Sequence, residues 1–492
     1  MANNPLSLDE NGEWAGMWWL PDAPNQQVPG MLHYDSESGL SLSLIGAFEN
    51  RIMSNPSPGV TIFHEGSKTW NVIYGAAEQR EITLLGCYPT NSKRTIGARV
   101  KTPDKQTIKI TTALIGVHVD SEDKKLFSAV EISVEDIGRW GASSVIEMFL
   151  GATNGHLDGS GTLQVKPIPK QSVDVNGTEF ILSHRYTLPS LDQQRSSTVG
   201  HIDDTTFMRI DPAEVCSVWD AQNYTRLIQD LVALATHRAV GVIWLRLKLS
   251  EKTNPALRTQ RSQEHNVDVL YSPLRVGVHD MKAVQSNHML FTCKDIPLKE
   301  IIPQWCKVYE RLRPALNMIL GLRYAPAQYV ENNLLTAVGA AEVLHRNLKI
   351  DEPPIPSKEF KPMREAILEH VPEEYKEHIK GLLRNAPTLR ERLCALAARP
   401  DKEAISSLIP NVDSWAQRTT QARNDLTHEG RTSNHSLKEL IAIVNVTTAV
   451  VILNLLNEIG LSAELQRKIV QQHPQLHETA QQANTLLNSP KK

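Results

Sequence analysis

The 492 residues include only five cysteines, Cys87, Cys216, Cys293, Cys306 and Cys394, an odd number with no two placed like the ligands of a metal knuckle. A disulfide framework is therefore not expected, and a reducing, cytoplasmic setting is. No Gly-rich phosphate loop and no metal-ligand spacing is present, so neither a metal nor a cofactor is expected. The N-terminal stretch MANNPLSLDENGEW lacks both a basic start and an apolar run, so no signal peptide is expected. The longest apolar run, 441–456, is broken by Asn445, Thr447, Thr448 and Asn454, which predicts a buried helix and no membrane contact. Excess positive charge is missing as well: 52 Lys and Arg stand against 55 Asp and Glu, for a net charge of −3. Any nucleic-acid contact must then come from a local basic surface.

What is present suits an ordinary globular composition, 41% hydrophobic and 22% charged, in a chain too long for one core. Residues 1–296 read as β-rich. Leu40 to Gly46 largely alternates with period two, and short runs recur at 61–64, 71–74, 82–88, 99–101, 108–119, 179–186, 267–278 and 288–291, punctuated by Gly, Pro, Asn and Asp. The spacing predicts a sandwich or barrel with some helix, near 212–234. Trp14, Trp18 and Trp19 read as core beneath the sheet in preference to a glycan-stacking surface.

From 297 onward nearly everything has helical spacing. Segments 299–320, 330–348, 359–370, 372–384, 389–398, 413–428 and 436–459 predict an all-α bundle over 297–462, followed by a peripheral helical tail over 463–492. The fold class expected is α+β and multidomain.

One short stretch combines side chains able to do chemistry. Arg423-Asn424-Asp425-Leu426-Thr427-His428 falls at the end of a helical run, before the stop signal Gly430 and the helix start at Ser436. Asn424 and His428 are i and i+4, so the amide is placed to orient the imidazole. Arg423 and His428 are i and i+5, about 140° apart around the helix. Spacing alone does not single them out: Arg195/His201, Arg258/His265, Arg364/His370 and Arg467/His473 are similar pairs. On spacing and composition alone, a solvated helix end with a capping histidine is the favoured reading. Arg423 is distinguished by the amide that follows it and by its helix-end position. A guanidinium beside a protonated imidazole calls for an anion between them, and phosphate fits.

With its bundle context, R-N-x-x-x-H followed by Gly430 and a long apolar last helix resembles a HEPN domain. The segment Leu334 to Leu344, with Glu342 in an Ala- and Leu-rich helix, is similar to another helix of such domains. The run Trp14-Ala15-Gly16-Met17-Trp18-Trp19-Leu20-Pro21, with Val28-Pro29-Gly30 and Leu40 to Gly46, resembles the N-terminal domain of ApeA-like anti-phage proteins. The resemblance implies a metal-independent endoribonuclease that cuts cellular RNA, tRNA foremost, leaving 2′,3′-cyclic phosphate ends during abortive infection. It implies catalytic roles for Arg423, Asn424 and His428, a homodimer with two facing motifs, no action on DNA, and a phage product as trigger for the N-terminal half. Weaker substrate contacts are expected from Glu342 and from Lys380, Arg384, Arg390 and Arg392 in the basic segment 376–402. The competing readings are a non-catalytic RNA- or partner-binding regulator and the toxin half of a toxin–antitoxin pair.

Overall fold

The computed structural model describes residues 4–57, 60–93, 102–250, 265–273, 282–350 and 354–488. The run expected at 99–101 and the end of the one expected at 267–278 lie outside them. Two compact units are formed: Met1–Val232 with Val240–Ala283, and Ala233–Ala239 with Val284–Lys492.

The first unit is built on strands β1 Gly12–Trp19, β2 Val28–Asp35, β3 Gly39–Ile45, β4 Arg51–Ser57, β5 Val60–Ser67, β6 Trp70–Ala77, β7 Arg80–Lys93, β8 Lys105–Ile110, β9 Thr112–Ile115 and β10 Phe127–Val134. A short helix α1, Ile137–Gly141, precedes β11 Ile146–Thr153, β12 His156–Val165, β13 Gln171–Val175, β14 Thr178–Tyr186, β15 Ser190–Gln193, β16 Thr198–His201 and β17 Asp204–Asp211. Helix α2, Val218–Thr236, then leads to β18 Val242–Leu249 and β19 Asn266–Tyr271. Strands β7-β6-β1-β2-β3-β8 close into a barrel because β8 pairs back onto β7. The 14-residue β7 makes this possible: its first half pairs with β9 and its second half with β8 along the same edge. The sheet continues beyond the barrel as β9-β19-β18-β10-β17-β14-β13, and β4–β5, β11–β12 and β15–β16 are separate two-stranded hairpins.

Closure explains the alternation in the sequence. Leu40, Leu42 and Leu44 of β3 are buried, as are Leu32 and Tyr34 of β2, because inward residues recur every second position. Trp14 and Trp18 lie in this core, so the tryptophan-rich start is packing. Trp18 donates its indole N–H to the Gly30 carbonyl at 3.1 Å and sits directly across from Gly75 of β6. A Cβ built on Gly75 would come within 2.2 Å of the Trp18 ring. Gly75→Val should therefore lower stability by about 1–3 kcal/mol through overpacking; unchanged thermal unfolding in that variant would mean the indole yields freely.

Away from the barrel, opposed charges lie in register across four neighbouring strands. Arg209 of β17 faces Glu131 of β10, Glu131 faces Arg246 of β18, and Arg246 faces Asp268 of β19. Arg246 Nε donates to Asp268 Oδ1 at 2.7 Å, and Lys248 Nζ reaches Glu131 at 3.0 Å. Before β11, buried Asp204 accepts from Ser144 Oγ, the Val145 N–H and His184, while the other His184 nitrogen lies 3.1 Å from Ser143 Oγ. This chain fastens the turn to the sheet.

The second unit is helical: α3 Leu298–Tyr324, α4 Val330–Asn347, α5 Ser357–Glu369, α6 Glu373–Leu382, α7 Leu389–Ala397, α8 Lys402–Leu408, α9 Val412–Glu429, α10 Leu437–Glu458, α11 Ala463–Gln472 and α12 Pro474–Leu486. The run expected as a strand at 288–291 is irregular, after a single 3-10 turn at Ser286–His288. Helix α10 is long and apolar enough to equal a membrane span, yet most of it is buried. It packs on α3, α4, α7, α9 and α12, and its apolar character all round is that of a central core helix. Residues from 463 onward form two helices that pack on α8 and α10. Helices α5 and α6 pair with each other and bury no residue fully.

Candidate active site

Helix α9 starts because Asn411 accepts the Ser414 N–H at 2.9 Å, and stops because Gly430 takes a left-handed φ of 69°. Its buried stripe is Trp415, Ala416, Arg418, Thr419, Ala422 and Leu426. That stripe turns the helix so that Arg423 is half-buried while Asn424 and His428 face solvent.

Arg423 Nη1 donates to Asn424 Oδ1 at 3.2 Å, and Nη2 lies 4.0 Å from Glu342 Oε1 on α4. The Thr427 hydroxyl donates to the Arg423 carbonyl at 2.9 Å. The structure thus brings together Arg423, Asn424 and Glu342. The Asn424 amide oxygen is engaged by the guanidinium, and His428 hydrogen-bonds to no described residue. The helix end is held from behind by a pair that sequence reasoning missed: Arg418 Nη1 on Glu439 Oε1 at 2.8 Å, where Glu439 also caps α10 through Ser436. Its readable signal was the S-x-x-E box at Ser436–Glu439. Beyond Gly430, Asn434 donates to Asp425 at 3.2 Å and fixes the loop. Arg431 in that loop is exposed and unpaired among the described residues; it was also missed.

Cations of the expected basic track have local partners. Lys380 pairs with Glu377 at 2.7 Å, Arg384 Nε donates to the Gly381 carbonyl, and Arg390 forks onto Asp413 at 2.6 Å. Arg392 is largely buried, with Nε on the Pro387 carbonyl, which leaves it little surface for an RNA strand.

The other arginine–histidine pairs have different surroundings. Arg258 lies outside the described residues. Arg364 donates to the Lys380 carbonyl and Arg467 is bound by Glu403. His473, the N-cap of α12, and His477 are four apart, but His473 is turned to the His288 carbonyl and His477 to Gln481. Among the described residues no group of three or more His, Cys, Asp or Glu is arranged to hold a metal ion.

A closed β-barrel with an extended sheet stands before a helical unit that carries R-N-x-x-x-H at the exposed end of α9, and the family models that match the chain make it a HEPN protein of the nuclease type found in anti-phage defence. The chain belongs to the ApeA family: residues 13–305 match the ApeA N-terminal domain 1, and residues 335–465 match the Apea-like HEPN domain. No curated protein and no solved structure matches it.

Proposed function

We propose that the chain is a metal-independent endoribonuclease of anti-phage defence that cuts RNA, tRNA foremost, to halt translation in the infected cell. The observation that carries this reading is the exposed, unbonded imidazole of His428 one turn and a half beyond the half-buried guanidinium of Arg423, inside a domain matched as HEPN.

In this mechanism the RNA 2′-hydroxyl attacks the adjacent phosphorus and the bond from phosphorus to the 5′-oxygen breaks. The 2′-proton leaves to a base, and a proton is delivered to the departing 5′-oxygen. His428 serves one of these transfers, and His428 of a second copy supplies the other in a homodimer. Arg423 binds the non-bridging oxygens and offsets the charge that grows on them. Asn424 and Glu342 act through Arg423 by fixing the plane of its guanidinium. Arg431 adds positive charge beside the site for the neighbouring phosphate. The 2′-hydroxyl requirement makes RNA the substrate and DNA inert. The barrel unit serves as the sensor of a phage product.

The test is to sequence RNA ends from phage-infected cells carrying wild type or Arg423→Ala. Wild-type cuts should bear 5′-hydroxyl and 2′,3′-cyclic phosphate ends, should persist with purified protein in EDTA, and should vanish in the variant. Equal phage protection by Arg423→Ala, with no cut ends in either strain, would favour the non-catalytic regulator instead. Cuts bearing 5′-phosphates would refute the cyclic-phosphate route.

A further inference from the structure

A serine, a histidine and an aspartate of the first unit stand in a row that RNA cleavage does not use. His184 lies on β14 and Asp204 at the start of β17, two neighbouring antiparallel strands. Ser143 lies on the turn between α1 and β11. Asp204 Oδ1 is 2.8 Å from His184 Nδ1, and His184 Nε2 is 3.1 Å from Ser143 Oγ.

The proton positions follow from the carboxylate. An ionised aspartate only accepts, so Nδ1 carries the hydrogen and Nε2 keeps its lone pair. Thr206 Oγ1, at 3.4 Å from Nδ1, is the more distant partner. The Ser143 hydroxyl therefore donates to Nε2, the arrangement of a serine nucleophile with its general base. Asp204 is fixed in turn, because Oδ2 accepts from Ser144 Oγ at 3.0 Å and from the Val145 N–H at 3.1 Å. Those two bonds anchor the turn to the sheet, and the contact of Ser143 with His184 is additional to them.

The side chains of His184 and Asp204 are only 4% and 8% exposed, whereas solvent reaches Ser143. The base is dry and the nucleophile open. Ala142, directly before Ser143, is held in the left-handed region at φ 48° and ψ 35°. That conformation is costly for a residue with a Cβ, and such strain clusters at functional turns. The backbone N–H groups of Ser143 and Ser144 donate to no described residue. Two donors beside Oγ are thus left for a developing oxyanion.

We propose that Ser143, His184 and Asp204 form a second catalytic site, one that hydrolyses carboxylic esters. Ser143 Oγ attacks the carbonyl carbon while its proton passes to His184 Nε2. The bond from that carbon to the alcohol oxygen breaks, and the alcohol leaves with the proton. Water then attacks the acyl-serine, passes a proton through Nε2 to the departing Oγ, and releases the carboxylic acid. Asp204 is a positioning residue that holds the imidazole and steadies its charge. No cation belongs to this set of residues. A neutral carbonyl therefore suits it better than a phosphate ester, whose charge would meet the Asp204 carboxylate. The proposal does not rest on the nuclease reading.

Two measurements on the full chain test it. A fluorophosphonate probe should label Ser143 of the native protein, located by peptide mass spectrometry, and should spare the unfolded chain. With p-nitrophenyl acetate, the wild type should release a burst of about one equivalent of p-nitrophenol and then turn over. Ser143→Ala, at a half-buried position, should lower that hydrolysis at least ~100-fold. Ser190→Ala, at an exposed serine of β15, should leave it unchanged. Asp204→Asn should lower kcat with KM unchanged, because the amide no longer fixes the productive tautomer. No label, label on another serine, equal labelling of the unfolded chain, or acylation without turnover would overturn the proposal. So would hydrolysis by Ser143→Ala within a few-fold of wild type, or an Asp204→Asn chain that changes KM alone. The labelling of wild type decides even where a variant does not fold.

Discussion

His428→Ala should lower RNA cleavage by ~10²–10⁴-fold, the usual worth of a positioned general acid or base, with no loss of thermal stability. The second half of that expectation follows from exposure: His428 faces solvent and hydrogen-bonds to no described residue. Its removal leaves no cavity and no orphaned partner. Arg423→Ala should cost comparable activity, but with a small change in folding, since its guanidinium holds Asn424 and approaches Glu342. Arg423→Lys separates charge from geometry, because an ammonium keeps the charge and loses the bidentate fork. The measurement is single-turnover cleavage of a defined RNA beside a thermal melt. Cleavage by His428→Ala within a few-fold of wild type would remove the imidazole from the mechanism. Glu342→Gln should reduce cleavage less than Arg423→Ala, because it only loosens the arginine.

Arg246→Leu should destabilise the barrel unit by roughly 3–5 kcal/mol, the cost of leaving a buried charge without its partner. Arg246 and Asp268 are both almost fully buried and joined at 2.7 Å, and Glu131 faces Arg246 from the other side. Removing the guanidinium leaves Asp268 with the more distant Arg80, 4.0 Å away, while Glu131 keeps Lys248, Arg185 and Arg209. The double change Arg246→Leu with Asp268→Leu should cost less than the single one, since a buried pair replaced by apolar side chains is often near neutral. Chemical denaturation of the three proteins gives the comparison. A double variant less stable than Arg246→Leu alone would show that the orphaned Asp268 carboxylate is not the source of the cost.

Much of this was legible in the chain. The alternation of Leu40, Leu42 and Leu44 marks a barrel strand, and Gly430 and Ser436 mark the end of α9 and the start of α10. These signals are local, so they survive without knowledge of the fold. Strands β11 and β12 escaped because most of their residues are exposed and impose no inward-facing period on the sequence. The run 108–119 read as one strand, whereas β8 and β9 pair with different halves of β7, a division set by a partner distant in sequence. Arg392 looked like a surface cation by composition; its burial depends on the packing of α7, which charge counting does not register. The charge row across β17, β10, β18 and β19 is likewise a product of register. At the candidate site, residue type and helix position were readable, while the turn of Asn424 toward Arg423 was not.

The contact between Arg418 and Glu439 joins residues 21 apart and closes the loop that follows R-N-x-x-x-H. In a chain whose five cysteines are all free, it does the work of a staple. A covalent link around a loop of this length would restrain the unfolded chain by about 3 kcal/mol; an ionic one adds less, but no reductant opens it. Both ends are mostly buried, so salt screens it weakly. The closure of this loop is therefore independent of a reductant and only weakly dependent on ionic strength.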